Sequence, residues 1–94
     1  MSVYVIGSLT VKDPVRFANY RRTVLPSMEK YGGRFVARGE PIVLEGEWPR
    51  ERLIIAEFPS LEQAQQWWAS PEYAEPKALR QATADSELVI VQGA

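Results

Sequence analysis

The sequence predicts an α+β fold in which strands and helices follow one another in the order βαββαβ. Three observations support this. Apolar residues alternate along four short segments, they recur every three or four residues in the segments between, and capping residues stand where those helices would begin. With 94 residues the chain can fill one core, so we expect a single domain over residues 1–94.

The first strand and the first helix are separated by a clear start signal. Residues 3–11 alternate between two faces, and Asp13 with Pro14 is typical of a helix start, because Asp caps free amides and Pro fits the first turn. Pro26 lies inside the helical pattern and is expected to kink the helix or split off its last turn. Gly32 is expected to end it.

The next two strands are predicted at residues 34–44 and 52–58. The connection, residues 45–50, is too short for a helix, so these strands should form an antiparallel hairpin. Ser60 and Gln63 have the form of a capping box and begin the second helix.

The second helix should end before Ser70 and Pro71, which cap a further helical segment running to about Ala84. Residues 87–92 are the last strand. Helices on one face of a four-stranded antiparallel sheet give a two-layer, ferredoxin-like sandwich.

Composition narrows the classes of function. The chain has 11 Lys and Arg residues, 12 Asp and Glu residues and a net charge of −1, and its densest basic group, Arg16, Arg21 and Arg22, is expected to be a solvated helix face. Because phosphate binding needs clustered cations, we expect no nucleic-acid partner. Without Cys or His, the usual ligands of zinc and haem are missing, and we expect neither a metal nor another cofactor.

The N-terminal segment has no cationic region followed by an apolar stretch, and no run of residues is long enough to span a membrane. We therefore expect a cytoplasmic protein without a membrane partner. This expectation rests on the sequence alone.

Two helices can cover only one face of the predicted sheet, and the other face is also apolar. Leu53 and Ile55 in the third strand and Tyr4 and Ile6 in the first point away from the helices if Phe58 packs beneath them. An exposed face of this kind favours a homodimer in which the same faces meet. The alternative is a monomer with a mildly apolar sheet face.

One carboxylate interrupts this apolar face. Glu57 lies in the third strand beside Leu53 and Ile55, and a carboxylate between two sheets needs a partner, a proton or water. Arg38 in the second strand is the expected partner, although alternation along the strands does not establish that both side chains point the same way. The pair could belong to a ligand pocket between the sheets or could only fix the register of a dimer.

Several segments resemble the domain-of-unknown-function 1330 family, which belongs to the dimeric α/β-barrel superfamily. These are DP (13–14), YGGRFVARG (31–39), LEGEW (44–48), EFPS (57–60), WWASPEY (67–73) and Arg80. The resemblance covers nearly the whole chain and implies a homodimer whose sheets enclose a cavity. The superfamily includes cofactor-independent oxygenases, lactone isomerases and haem proteins, and the last hold iron through a histidine that this chain lacks.

Two functions stay open at this stage. The first is a homodimer that binds a small aromatic or lactone-type molecule, with cofactor-independent oxygenase or isomerase activity in which Glu57 accepts a proton and Arg38 stabilises the negative charge. The second is a non-catalytic ligand-binding or stress-associated accessory protein. The candidate substrate-binding residues are Tyr4, Ser8, Tyr20, Trp48, Trp67, Tyr73 and Arg80.

Overall fold

A computed structural model describes residues 2–94 of the chain. The elements follow in the order β1 (Val3–Val11), α1 (Pro14–Glu29), β2 (Arg34–Gly39), β3 (Arg52–Phe58), α2 (Leu61–Trp68), α3 (Pro71–Thr83) and β4 (Ala84–Gln92). The predicted α+β fold is confirmed, with the helical segment before the last strand formed as a separate helix.

The four strands form one antiparallel sheet in the order β2-β3-β1-β4. Val3 pairs with Phe58 and with Gln92, and the register continues without interruption along β1. Because paired residues share a face, β1 fixes which side chains of β3 and β4 meet the helices. The sheet is therefore a ferredoxin-like sheet with its central strands, β3 and β1, between two edge strands.

The helix starts form as the sequence predicts. The Asp13 carboxylate accepts a hydrogen bond from the backbone N–H of Arg16, and Ser60 and Ser70 cap α2 and α3 in the same way. Gly32 follows α1 with a φ of +82°, a conformation that favours glycine after a helix end.

The core lies between the helices and one face of the sheet. It contains apolar side chains from the central strands and from the inner sides of all three helices: Val3, Val5, Leu9, Phe17, Val24, Met28, Phe58, Trp67 and Tyr73. Trp67 is buried and its neighbour Trp68 is partly exposed, as expected of adjacent residues on a helix.

Two details of the sequence prediction are wrong. The second strand ends at Gly39, so residues 40–51 form a longer connection to β3 than expected; Pro41 follows shortly after and has no N–H with which to extend the ladder. Pro26 does not split off the last turn of α1, which runs to Glu29. Because Pro26 has no N–H, the Arg22 carbonyl four residues earlier lacks its helical hydrogen bond. Both residues are exposed, so solvent can bind this carbonyl.

A β-bulge in β2 decides which way its side chains point. Phe35 pairs with Ala56 whereas Ala37 pairs with Ile55, so Val36 is an extra residue in the ladder. The alternation changes phase at this residue. As a result Phe35 and Arg38 both lie on the helix side of the sheet, three residues apart.

No helix within residues 2–94 is long and apolar enough to cross a membrane.

Candidate functional site

A pocket of about 440 Å³ opens on the helix side of the sheet, between α1 and the β2–β3 edge. We call it the helix-side pocket. Its walls combine aromatic rings and guanidinium groups, and its lining residues include Phe17, Tyr20, Arg21, Phe35, Arg38 and Arg52.

The arginines of this pocket have no acidic partners. Among residues 2–94, Arg21, Arg38 and Arg52 make no ion pair within 4.0 Å. Two of them lie over aromatic rings instead: the guanidinium carbon of Arg38 is 4.7 Å from the centre of the Phe35 ring, and that of Arg21 is 5.6 Å from the Phe17 ring. Their positive charge therefore faces the pocket without a neutralising carboxylate.

Local structure explains this convergence. Arg21 follows Phe17 by one helical turn, so both side chains emerge on the same side of α1. The bulge at Val36 turns Arg38 onto the face where Ile54 lies, and Arg52 lies on that face through its pairing with Leu9. Arg21 is exposed together with Arg16 and Arg22, as expected of a solvated helix face, and it also lines the pocket.

Below the pocket, polar groups cross the core in a chain. The hydroxyl oxygens of Tyr20 and Tyr73 are 3.1 Å apart, and Arg80 Nε donates to the Tyr73 hydroxyl at 3.3 Å. Arg80 also donates to Ser86 Oγ at 2.5 Å and is only 4% exposed. Within residues 2–94 Arg80 makes no ion pair, so a buried cation is held by hydroxyl groups alone.

Burial raises the pKa of the Tyr20 hydroxyl far above its usual value, and the neighbouring Tyr73 adds to the effect. Tyr20 therefore stays protonated and can donate a hydrogen bond. Arg80 can only donate, so the Tyr73 hydroxyl accepts from it, and either tyrosine can donate the bond that joins the two hydroxyls. Tyr20 also lines the helix-side pocket, and its hydroxyl is free to donate to a ligand there when Tyr73 is the donor between the two.

A hydrogen bond also fixes Trp67, whose ring packs against Tyr73. Trp67 Nε1 donates to Ser27 Oγ at 3.1 Å, and both residues are buried. The Trp67 and Tyr73 ring centres are 4.0 Å apart. The bond fixes the indole of α2 against α1 and thereby positions Tyr73.

The face of the sheet away from the helices, which we call the open face, is the second candidate region. Its apolar side chains include Tyr4, Ile6, Leu53, Ile55, Val89 and Val91. Val89 and Val91 are 57% and 48% exposed. The expectation of an apolar second face is confirmed.

Glu57 is in the ladder on this face and is bound by three groups. Arg34 donates to Oε1 from Nε at 3.0 Å, and Tyr4 donates to Oε2 at 3.4 Å. Hydrogen bonds from Ser2, Arg34 and Tyr4 lower the pKa of Glu57 below its usual value. An ionised carboxylate that is stabilised in this way is a weak proton acceptor.

The expected pairing of Arg38 with Glu57 is wrong. Arg34 pairs with Glu57, and the bulge places Arg38 on the opposite side of the sheet. The sequence alternation would have put both arginines on one face, and no glycine or other sequence signal marks the bulge. Of the two residues predicted to be catalytic, Arg38 lines the helix-side pocket and Glu57 lies on the open face.

The structure divides the other predicted site residues among three places. Tyr20, Trp67, Tyr73 and Arg80 come together in the core below the helix-side pocket, and Tyr4 and Ser8 lie on the open face. The Ser8 hydroxyl donates to Glu87 at 3.2 Å. Trp48 lies in the 40–51 connection, 46% exposed. Sequence reasoning missed Arg34, Arg52, Phe17 and Phe35 as site residues.

This arrangement suits a particular kind of ligand. Flat aromatic walls and guanidinium groups favour a planar molecule that carries a negatively charged oxygen. The lining residues of the helix-side pocket include no carboxylate. Among residues 2–94, no group of three or more acidic side chains is placed to hold a metal ion.

Comparisons with solved structures agree with this architecture. The RPA0582 protein of unknown function from Rhodopseudomonas palustris has a TM-score of 0.83 at 23% identity, covering 99% of this chain and 82% of that chain. The cofactor-independent oxygenase SnoaB from Streptomyces nogalater has a TM-score of 0.72 at 17% identity, covering 99% of this chain and 93% of that one.

A dimeric ferredoxin-like protein of unknown function from Thermobifida fusca has a TM-score of 0.70 at 14% identity, covering 99% of this chain and 92% of that one. Identities this low establish the fold alone. A search of curated proteins gives no match. The family model described as Domain of unknown function (DUF1330) matches residues 2–94, and the chain therefore belongs to that family.

Proposed function

We propose that the protein is a homodimer in which each protomer binds a small, planar aromatic or lactone-type molecule with an acidic oxygen in the helix-side pocket. We further propose that it acts on this molecule as a cofactor-independent oxygenase or isomerase. The observation that carries the proposal is the set of three arginines, Arg21, Arg38 and Arg52, that line an aromatic pocket without acidic partners.

The arginines supply the main chemical requirement of such a reaction. A phenol or an enolisable ketone loses a proton more readily where guanidinium groups stabilise the resulting anion, so the pocket needs no strong base of its own. In an isomerisation the proton returns to another atom of the same molecule. In an oxygenation of a CH₂ group, dioxygen supplies one atom to form C=O, and the two hydrogens leave with the other atom as water.

The likeness to SnoaB supports this choice of reaction class at the level of the fold only. The absence of Cys and His from the sequence is compatible with it, because neither reaction requires a thiolate or an imidazole. Tyr20, held protonated in the core, adds a hydrogen-bond donor to the anion-stabilising set.

The homodimer is supported by the open face. Apolar side chains on three strands face solvent in a single protomer, and burying them against a second copy removes that area from water. Structural neighbours such as the Thermobifida fusca protein are described as dimeric. In this assembly Glu57 and Arg34 lie at the interface, not in the helix-side pocket.

The test uses 2-naphthol, a planar phenol whose ionisation changes its absorbance. We expect the protein to bind it and to lower its pKa, and we expect Arg38→Met to weaken binding about tenfold, as for the loss of one charge-assisted hydrogen bond. Arg34→Met is the matched control: it removes an arginine from the same strand but from the other face, and affinity should not change.

Two results would contradict the proposal. The first is equal affinity for 2-naphthol in the wild type and in Arg38→Met. The second is equal affinity for naphthalene, which has the same ring system without the acidic oxygen.

The second candidate is a non-catalytic binder in which the polar cluster on the open face only sets the register of the dimer. The observation that favours it is the ion pair of Glu57 with Arg34, which leaves Glu57 poorly suited to accept a proton. Glu57→Gln tests the register role. A weakened dimer with unchanged 2-naphthol binding would support it, whereas a dimer of unchanged stability would contradict it.

A further inference from the structure

A small apolar space, which we call the void, extends from the helix-side pocket towards the core. Its volume is about 30 Å³, and most of its lining residues are buried, among them Val5, Met28, Ala56 and Trp67. It shares Leu9, Tyr20, Val24, Phe35 and Ile54 with the pocket above. A molecule in the void would therefore lie directly below a ligand bound in the pocket.

The void suits an apolar occupant better than water. A buried water needs two to four polar partners, and apolar cavities in proteins stay dry. The side chains with polar atoms that border the void are Tyr20, Trp67 and Arg80. Tyr20 and Arg80 are hydrogen-bonded through Tyr73, and the Trp67 N–H donates to Ser27. The remaining lining is hydrocarbon, aromatic ring or glycine backbone.

A glycine keeps this space open. Gly7 lies in the middle of β1 on the helix side, between Ile54 and Leu88, where a glycine weakens a strand. A Cβ built on Gly7 meets nothing nearer than the Leu88 side chain at 3.5 Å, so alanine would fit. Its backbone does not have the positive φ that favours glycine. Neither crowding nor backbone conformation requires the glycine, and its effect is to leave the void unfilled.

We propose that this void is a binding site for dioxygen, which it would hold beneath the organic molecule in the helix-side pocket. A cavity needs about 10–15 Å³ of such space to hold one water molecule, so a space of about 30 Å³ admits one diatomic molecule. The choice of dioxygen over another apolar gas rests on the proposed oxygenase function.

The experiment detects dioxygen directly and needs no turnover. Dioxygen is paramagnetic and accelerates the nuclear relaxation of methyl groups that it contacts. With the homodimer under dioxygen pressure, we expect relaxation of the Met28 methyl group to increase several-fold more than that of the Val3 methyl groups, because Val3 is as buried as Met28 but does not line the void.

Gly7→Ala should abolish this difference, because the added methyl group occupies the void, while 2-naphthol affinity should be unchanged. Ser8→Ala is the control, since its side chain lies on the opposite face of the same strand. Leu88→Ala, which enlarges the space, should increase the effect at Met28 and guards against a Gly7→Ala variant that does not fold.

Equal relaxation at Met28 and Val3 in the wild type would overturn the inference, as would an unchanged difference in folded Gly7→Ala. The two proposals fail separately. Loss of the dioxygen effect leaves the binding of 2-naphthol by the arginines intact. Failure to bind 2-naphthol would contradict the proposed function. The relaxation measurement would still test whether dioxygen occupies the void.

Discussion

The two sides of the sheet use arginine in opposite ways. On the open face, Arg34 is paired with Glu57 and Arg50 is paired with Glu87, so each cation has a carboxylate partner among apolar neighbours. In the helix-side pocket, Arg38 and Arg52 have aromatic neighbours and no such partner within residues 2–94. Within β2 the difference follows from the bulge at Val36, which turns Arg38 to the face opposite Arg34.

This contrast separates assembly from ligand binding. Charges that are already paired cost less to bury against a second protomer than unpaired charges do, whereas unpaired guanidinium groups attract an anion from solution. The open face therefore suits an interface and the helix-side pocket suits a ligand site. If the two faces of the sheet are independent, a substitution on one face should change either dimer mass or 2-naphthol affinity but not both.

The largest effect is expected from a charge placed on the open face. Ile55→Asp puts an unpaired carboxylate among Ile6, Leu53 and Ala37, which is costly between two apolar sheets and should leave only monomers. Sedimentation velocity measures the change. Ala74→Asp adds the same charge at an exposed position of α3 and should leave the dimer intact. A wild type that sediments as one chain at every concentration would contradict the homodimer.

A smaller effect is expected on the pocket side from Ser27→Ala. The substitution leaves the buried indole N–H of Trp67 without its partner, which should lower the free energy of unfolding by about 1–3 kcal/mol. Urea denaturation measures it, and the dimer should persist in native buffer. Thr23→Ala, one turn earlier, removes a hydroxyl that bonds only helix carbonyls and should cost less than about 0.5 kcal/mol. Equal losses in both variants would show that the indole bond contributes nothing.

Replacing Arg80 should affect the free energy of unfolding and the affinity for 2-naphthol in different ways. Because this buried cation has hydroxyl partners only, Arg80→Met should keep or raise the free energy of unfolding, by up to about 1 kcal/mol. The same change removes the donor that orients Tyr73 and Tyr20, so 2-naphthol should bind more weakly. Urea unfolding and absorbance titration give the two readouts. A loss of several kcal/mol in stability with unchanged binding would make Arg80 a structural residue.

The sequence predicted much of the fold and less of the site, for reasons that lie in particular residues. Capping at Asp13, Ser60 and Ser70 and the alternation of β1 are local signals, so they could be read directly. The partner of Glu57 could not be predicted, because it depends on which face of the sheet Arg38 occupies. The bulge that determines this face has no signal in the local sequence. Arg52 could be placed in the pocket only once the pairing of β3 with β1 was known.

The smallest effect concerns acid stability at the contact between the end of α1 and the start of α3. Glu72 accepts hydrogen bonds from Lys30 and from the Tyr31 hydroxyl, the latter at 2.8 Å, and these lower the pKa of Glu72 from 4.5 to about 2. A carboxyl whose pKa is lower in the folded protein stabilises it fully above pH 4.5. That contribution is lost as the pH falls to about 2.

Glu72→Gln removes this titration. The urea midpoint of the variant should therefore fall less between pH 6 and pH 2.5 than that of the wild type, and the two midpoints should be similar at pH 2.5. Glu75→Gln, an exposed position one turn along α3, should titrate like the wild type. Since the side-chain partners of Glu72 are Lys30 and Tyr31 and it does not line the helix-side pocket, dimer mass and 2-naphthol affinity at pH 7 should not change. A change in either would mean that the α1–α3 contact reaches the pocket or the interface, and the two sides of the sheet would then no longer be independent.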